Sequence, residues 1–220
     1  MPRLRGRGAR AERPRLEPSG AEPQVLRLFV AVELPPDIKR VLAATIEMLR
    51  DAARSDALRW VRIDGIHVTL EFLGDVEAAR VDAIGAALGA GVRHCVPFDI
   101  TPAGIGSFGG RGHMRVVWIG VGGDSGALAD LADSVAASLE PLGLRREERA
   151  FNAHLTLARV RDDAPAAERA RLHDLVTRFN APEFPWFRVD RVSLMQSTLA
   201  PGGATYRALA TFPLDGVTPE

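Results

Sequence analysis

His67-Val68-Thr69-Leu70 and His154-Leu155-Thr156-Leu157 carry one pattern, His-x-Thr-Leu, met twice in this chain. Each sits in an apolar run of strand character. Side chains alternate across a strand, so His67 and Thr69 share one face while Val68 and Leu70 share the other. His154 and Thr156 are separated from Leu155 and Leu157 in the same way. Each strand thus buries two aliphatics and offers one imidazole and one hydroxyl.

Outward from these runs the sequence repeats itself. The strand that opens at Arg27 has a counterpart at Arg115, and Phe98 has one at Phe187. With the two histidines, three landmarks keep one offset to within a residue. Each copy reads strand, helix, His-x-Thr-Leu strand, helix, strand. The apolar patterning predicts strands over 28–34, 58–63, 66–73, 98–105, 115–121, 151–160, 187–197 and 206–212. Helical spacing covers 36–54, 76–88, 127–139 and 165–179. Gly74 is expected to end the first His-x-Thr-Leu strand, and the glycines of 104–112 to form a hairpin loop. A period this long means two fused copies, not a solenoid. Fused copies give two similar lobes about a pseudo-two-fold axis, with the site in the cleft between them.

The chemistry follows from the residue types. Imidazole gains and loses protons near neutrality. One histidine can take a proton from a nucleophile while the other gives one to a leaving group. The hydroxyls of Thr69 and Thr156 can donate to a developing oxyanion. That set suits in-line displacement at a phosphodiester and calls for no metal or cofactor. A zinc site is the rival, but apart from Glu71 neither motif brings an acidic third ligand. His94, His113 and His173 have no duplicate and read as loop or helix surface. The glycines around Phe108 lack the Lys-Ser/Thr of a phosphate loop.

Composition narrows the setting. The 220 residues hold 28 basic and 28 acidic side chains, so the net charge is zero and any anion site must be local. Lys39 is the only lysine, an arginine bias that reads as genome composition. Cys95 is the only cysteine, which excludes an internal disulfide and fits a reducing compartment. No apolar run is long enough to span a membrane. Residues 1–24 are rich in Arg, Gly and Pro and cannot bury enough surface to order themselves. They read as a disordered tail, with an RNA-touching basic arm or a misplaced start as alternatives. Residues 25–220 read as one bilobal domain of two duplicated halves.

The paired His-x-Thr strands resemble the 2H phosphoesterases, and the wider match resembles the bacterial and archaeal RNA 2′,3′-cyclic phosphodiesterases, the 2′-5′ RNA ligase-like family. The resemblance runs from about residue 26 to the end. It is carried by RLFVAVELPP at 27–36, Arg59-Trp60-Val61, HVTLEFLGDV at 67–76, Phe108, HLTLAR at 154–159 and Ser197 with Tyr206. It implies an α+β fold, two antiparallel sheets facing a central groove with helices outside. It implies hydrolysis of RNA 2′,3′-cyclic phosphate ends to a 2′-phosphate, with His67 as proton donor, His154 as proton acceptor, and Thr69 and Thr156 on the phosphate. Reversible 2′-5′ RNA ligation and non-catalytic binding of RNA ends or nucleotides are the alternatives. Expected partners are RNA ends, among them tRNA fragments or cyclic nucleotides; a cytoplasmic monomer is expected. Arg159 is the leading anion contact, with Arg27 and Arg115 behind it. Phe108 and Tyr206 are candidates to stack on a terminal base. Glu71 departs from the family's common basic residue. Strict alternation puts it on the face of His67 and Thr69, where it would weaken anion binding or orient a cation.

Overall fold

The computed structural model describes residues 24–144, 150–200 and 203–216. The tail of residues 1–24 lies outside them, apart from Gln24. From β1 (Val25–Glu33) the chain turns through Pro35-Pro36 into α1 (Pro36–Ala53). Pro36 opens that helix, where its missing N–H is not needed. Ile38, Leu42, Ile46 and Leu49 form the helix's buried stripe. β2 (Leu58–Trp60) and a 3-10 turn lead into β3 (His67–Glu77), which bears the first motif; α2 (Val81–Val92) and β4 (Phe98–Phe108) follow. The second half has β5 (Val116–Gly123), α3 (Ser125–Leu139) and β6 (His154–Val160), the strand of the second motif. It ends with α4 (Ala166–Arg178), β7 (Phe187–Val189), β8 (Arg191–Ala200) and β9 (Gly203–Pro213).

Two antiparallel sheets result, ordered β3-β1-β8-β9 and β2-β6-β5-β4-β7. Their registers repeat with one offset. Glu33 faces His67 and Ala31 faces Thr69; Gly120 faces His154 and Trp118 faces Thr156. Met195 faces Phe29 as Phe108 faces Val116. The third strands are exchanged between the lobes. β4, from the first half, pairs with β5, and β8, from the second half, pairs with β1. Each sheet therefore needs both halves of the chain. Val30, Val68, Ile119, Leu155 and Leu194 are fully buried, with Leu128 and Val135 of α3 in the same core. Each such side chain stabilises the fold by roughly 1.5–3 kcal/mol.

The decisive irregularity is also duplicated. In β3 the register steps from Thr69 opposite Ala31 to Glu71 opposite Val30, passing over Leu70. In β6 it steps from Thr156 opposite Trp118 to Ala158 opposite Val117, passing over Leu157. An extra residue without a partner reverses the alternation beyond it. Leu70 and Glu71 are both buried, and so are Leu157 and Ala158. Phe72 comes out opposite Phe29, on the His67 side, and Arg159 comes out beside Val116. The expectation for Glu71 is thus corrected. It borders the groove at 8% exposure but stands opposite buried Val30, outside the row of His67 and Thr69.

Other boundaries also moved. Gly74 does not end β3; it takes a φ of 69° at a second irregularity, and the strand continues to Glu77. The helix expected from residue 76 accordingly starts at Val81. Gly104 and Gly106 lie inside β4, so the expected loop of 104–112 begins only after Phe108. The expected strand 187–197 is broken at Asp190. β7 pairs with β4 in one sheet and β8 with β1 in the other.

Candidate active site

β3 and β6 meet where the two sheets approach, and this brings both motifs to one groove of about 1090 Å3. Thr69, His154, Phe108, Tyr206 and Arg159 border it. His67 lies deeper. Phe29 stacks on its ring at 4.6 Å between centroids, and Tyr206 meets it edge-on at 5.0 Å. His154 is met edge-on by Phe108 at 4.8 Å. The two aromatic candidates therefore hold the imidazoles in place as walls of the groove.

The backbone of Gly65, two positions before His67, favours the charged form of that ring. A backbone bond anchors the other ring, where His154 Nδ1 lies 2.7 Å from the carbonyl oxygen of Asn152, again two positions earlier. A carbonyl only accepts, so the bonded ring nitrogen carries a proton. The other nitrogen is left as a lone pair when the ring is neutral and as an N–H when it is charged. The His154 ring can then act as base or acid at one defined atom. Among the described residues neither threonine hydroxyl is engaged by another side chain.

The electrostatics separate the two histidines. Burial among aromatic rings pushes the His67 imidazolium down to about 4, helped by positive charge on His154 and opposed by the Gly65 bond and by Glu33. The coupling to His154 puts the two rings within electrostatic reach of one another. Glu33 lies across the strand pair from His67, where its carboxylate also accepts a hydrogen bond of 2.7 Å from buried Ser193. The matching position opposite His154 is Gly120, which has no side chain.

Of the arginines, Arg159 and Arg115 border the groove, whereas Arg27 does not. Arg159 owes its place to the bulge at Leu157. Sequence reading missed Phe29, Glu33, Trp118 and Arg59. Trp118 packs at 5.5 Å from Phe108, and a Cβ on Gly106 would lie 2.4 Å from its ring. Its indole N–H is buried without an acceptor among the described residues. The offset itself would have drawn attention to Glu33 and Trp118, as positions facing the motif residues in each copy. His94 and His113 lie in turns and His173 in α4, away from the groove's lining. Among the described residues, no group of three or more His, Cys, Asp or Glu is placed to hold a metal ion. No helix there is long and apolar enough to cross a membrane.

A family model described as the 2′-5′ RNA ligase superfamily matches residues 38–200. A protein of Archaeoglobus fulgidus named RNA 2′,3′-cyclic phosphodiesterase is 34% identical over 187 residues, covering 85% of this chain and 99% of its own. The protein of that name in Escherichia coli is 29% identical, covering 88% and 98%. Among solved structures, TT0787 of Thermus thermophilus superposes with a TM-score of 0.68 at 26% identity, covering 87% and 99%. Escherichia coli LigT complexed with 3′-AMP superposes at 0.65 and 26%, with the same coverage.

Proposed function

The chain belongs to the 2′-5′ RNA ligase superfamily, and from that premise we propose that it hydrolyses RNA 2′,3′-cyclic phosphate ends to 2′-phosphates without a metal. The observation that carries the mechanism is the pair of imidazoles, within electrostatic reach of one another and each sharing a strand with a threonine hydroxyl. The cyclic phosphate lies between them, with Thr69 and Thr156 donating to its non-bridging oxygens. Neutral His154 takes a proton from water as the water oxygen bonds to phosphorus. The bond from phosphorus to O3′ breaks in line, and His67 gives its proton to O3′. The phosphate is left on O2′.

His67 must be charged to serve as the acid, although burial holds it near 4 in the free protein. A phosphate anion bound against it favours the charged form. Glu33 on the same face works in the same direction. The substrate thus helps to charge the acid that it needs. Ligation is the same displacement with a 5′ hydroxyl in place of water: the P–O5′ bond forms, the P–O3′ bond breaks, and a 2′-5′ linkage is left, whose cleavage back to the cyclic end retraces the path.

The test is hydrolysis of a 3′-terminal 2′,3′-cyclic phosphate oligonucleotide in excess chelator, with the product phosphate located by its chemistry. Expected is full activity and a 2′-phosphate. Loss of activity with chelator, restored by a divalent cation, would replace this mechanism with a metal-assisted one.

A further inference from the structure

Each imidazole is met edge-on by one aromatic ring, and the two rings differ by a hydroxyl. Phe108 stands at 87° to the His154 ring and Tyr206 at 81° to the His67 ring. Tyr206 reaches His67 only because the sheet is curled. It lies on β9, and the order β3-β1-β8-β9 puts three strand spacings between them, roughly 14 Å in a flat sheet at about 4.8 Å per spacing. The ring centroids are 5.0 Å apart, so β9 closes on the start of β3. Gly65 permits the approach. A Cβ there would lie 3.0 Å from Tyr206 Cε2 and 3.1 Å from Cδ2, so that edge of the ring rests on the backbone leading into His67.

This packing accounts for the ring and not for the hydroxyl. Phenylalanine would serve as well against Phe29, His67 and Gly65, as Phe108 does against His154. Tyr206 is half-buried and borders the groove. Among the described residues its hydroxyl has no hydrogen-bond partner, and solvent in the groove reaches it. The motif residues themselves are nearly two-fold, one imidazole and one threonine from each copy. A cyclic phosphate is nearly two-fold as well, because O2′ and O3′ are alike. The difference between an acid side and a base side therefore comes from groups outside the motifs, and Tyr206 adds a donor on the His67 side alone. A phenol keeps its proton to about pH 10, so it donates over the whole range in which imidazoles change charge. That proton is present even where His67, held at about 4 by burial, has lost its own.

We propose that the Tyr206 hydroxyl is a third donor to the cyclic phosphate, a catalytic residue that binds the non-bridging oxygen on the His67 side alongside Thr69 and Thr156. The proposal rests on the cyclic phosphodiesterase reading above and adds a residue to it. Negative charge on the non-bridging oxygens grows as the water oxygen bonds to phosphorus, so the hydroxyl binds the transition state more strongly than the substrate. Holding the anion against His67 also favours the charged imidazole that departure of O3′ needs. Tyr206 keeps its proton throughout.

The test is Tyr206→Phe, which keeps the ring and removes the hydroxyl. On an oligonucleotide with a 2′,3′-cyclic phosphate end, kcat should fall by roughly 10- to 100-fold, the worth of one hydrogen bond to a charged group. Inorganic phosphate, followed by calorimetry, should bind roughly tenfold more weakly. The melting temperature should not change. The weaker phosphate binding should persist when Tyr206→Phe is made in His67→Ala, because the hydroxyl touches the phosphate itself. Parental kcat and phosphate affinity in Tyr206→Phe would overturn the third donor and leave Tyr206 as a wall. So would an effect on phosphate that vanishes in His67→Ala, since Tyr206 would then act only through the imidazole. No hydrolysis by the parent, with phosphate binding still dependent on the hydroxyl, would instead overturn the phosphodiesterase reading and leave the phosphate contact standing.

Discussion

Glu33 stands across the β1–β3 pair from His67, and the position that corresponds to it opposite His154 is Gly120. The duplication is thus broken at the one place where a charge most directly separates the two imidazoles. A carboxylate beside His67 favours its charged form, while a glycine beside His154 contributes no charge. Removing the carboxylate by Glu33→Gln should lower the tendency of His67 to hold a proton. The alkaline limb of the kcat profile should move to lower pH, and kcat near neutrality should fall by roughly three- to tenfold, the effect of up to one pKa unit. An unchanged profile would separate Glu33 from the acid.

Division of labour between the imidazoles is tested by their removal. His67→Ala and His154→Ala should each lower kcat by roughly 10²–10⁴, the usual worth of general acid–base catalysis. The double variant should be little worse than either single one, because both act on one displacement. A substrate whose leaving group needs no protonation should restore much of the rate in His67→Ala and little in His154→Ala. Equal rescue would reverse or erase the assignment of acid and base.

Burial of His67 makes stability depend on pH in a defined window. Its folded-state value of about 4 lies below the ordinary 6.5, so between these values the unfolded chain binds a proton that the folded chain refuses. The contribution is fully present above about 6.5 and declines as the pH falls toward 4. The melting temperature of the parent should therefore drop more steeply over this window than that of His67→Gln. Parallel curves for the two proteins would contradict the shift.

Gly106 is expected to be intolerant of any side chain. A Cβ there would meet the Trp118 ring at 2.4 Å, and Trp118 faces Thr156 across β5 and β6. Gly106→Ala should cost about 1–3 kcal/mol by overpacking and should raise KM as the indole is pushed toward the phosphate site. Chemical denaturation and steady-state kinetics read the two effects. Ordinary stability in this variant would mean that the indole has somewhere else to go.

Much of this was legible in the chain itself. Two His-x-Thr-Leu runs, the alternation within each, and one offset shared by three landmarks were enough to predict that the two motif strands meet, as β3 and β6 do. They suffice because strand alternation and apolar burial are local properties, fixed by the residues of the strand. Tertiary structure decided what depends on a partner. Whether Leu70 and Leu157 are paired or bulged is set by the neighbouring strands β1 and β5, not by the pattern of β3 and β6. That choice carries Arg159 into the groove and takes Glu71 out of the motif row. The exchange of β4 and β8, and the break at Asp190 that sends β7 and β8 to different sheets, likewise follow from which edges lie open when the halves meet. A bulge or an exchanged strand is a relation between segments far apart in sequence, so the apolar pattern of one segment does not encode it.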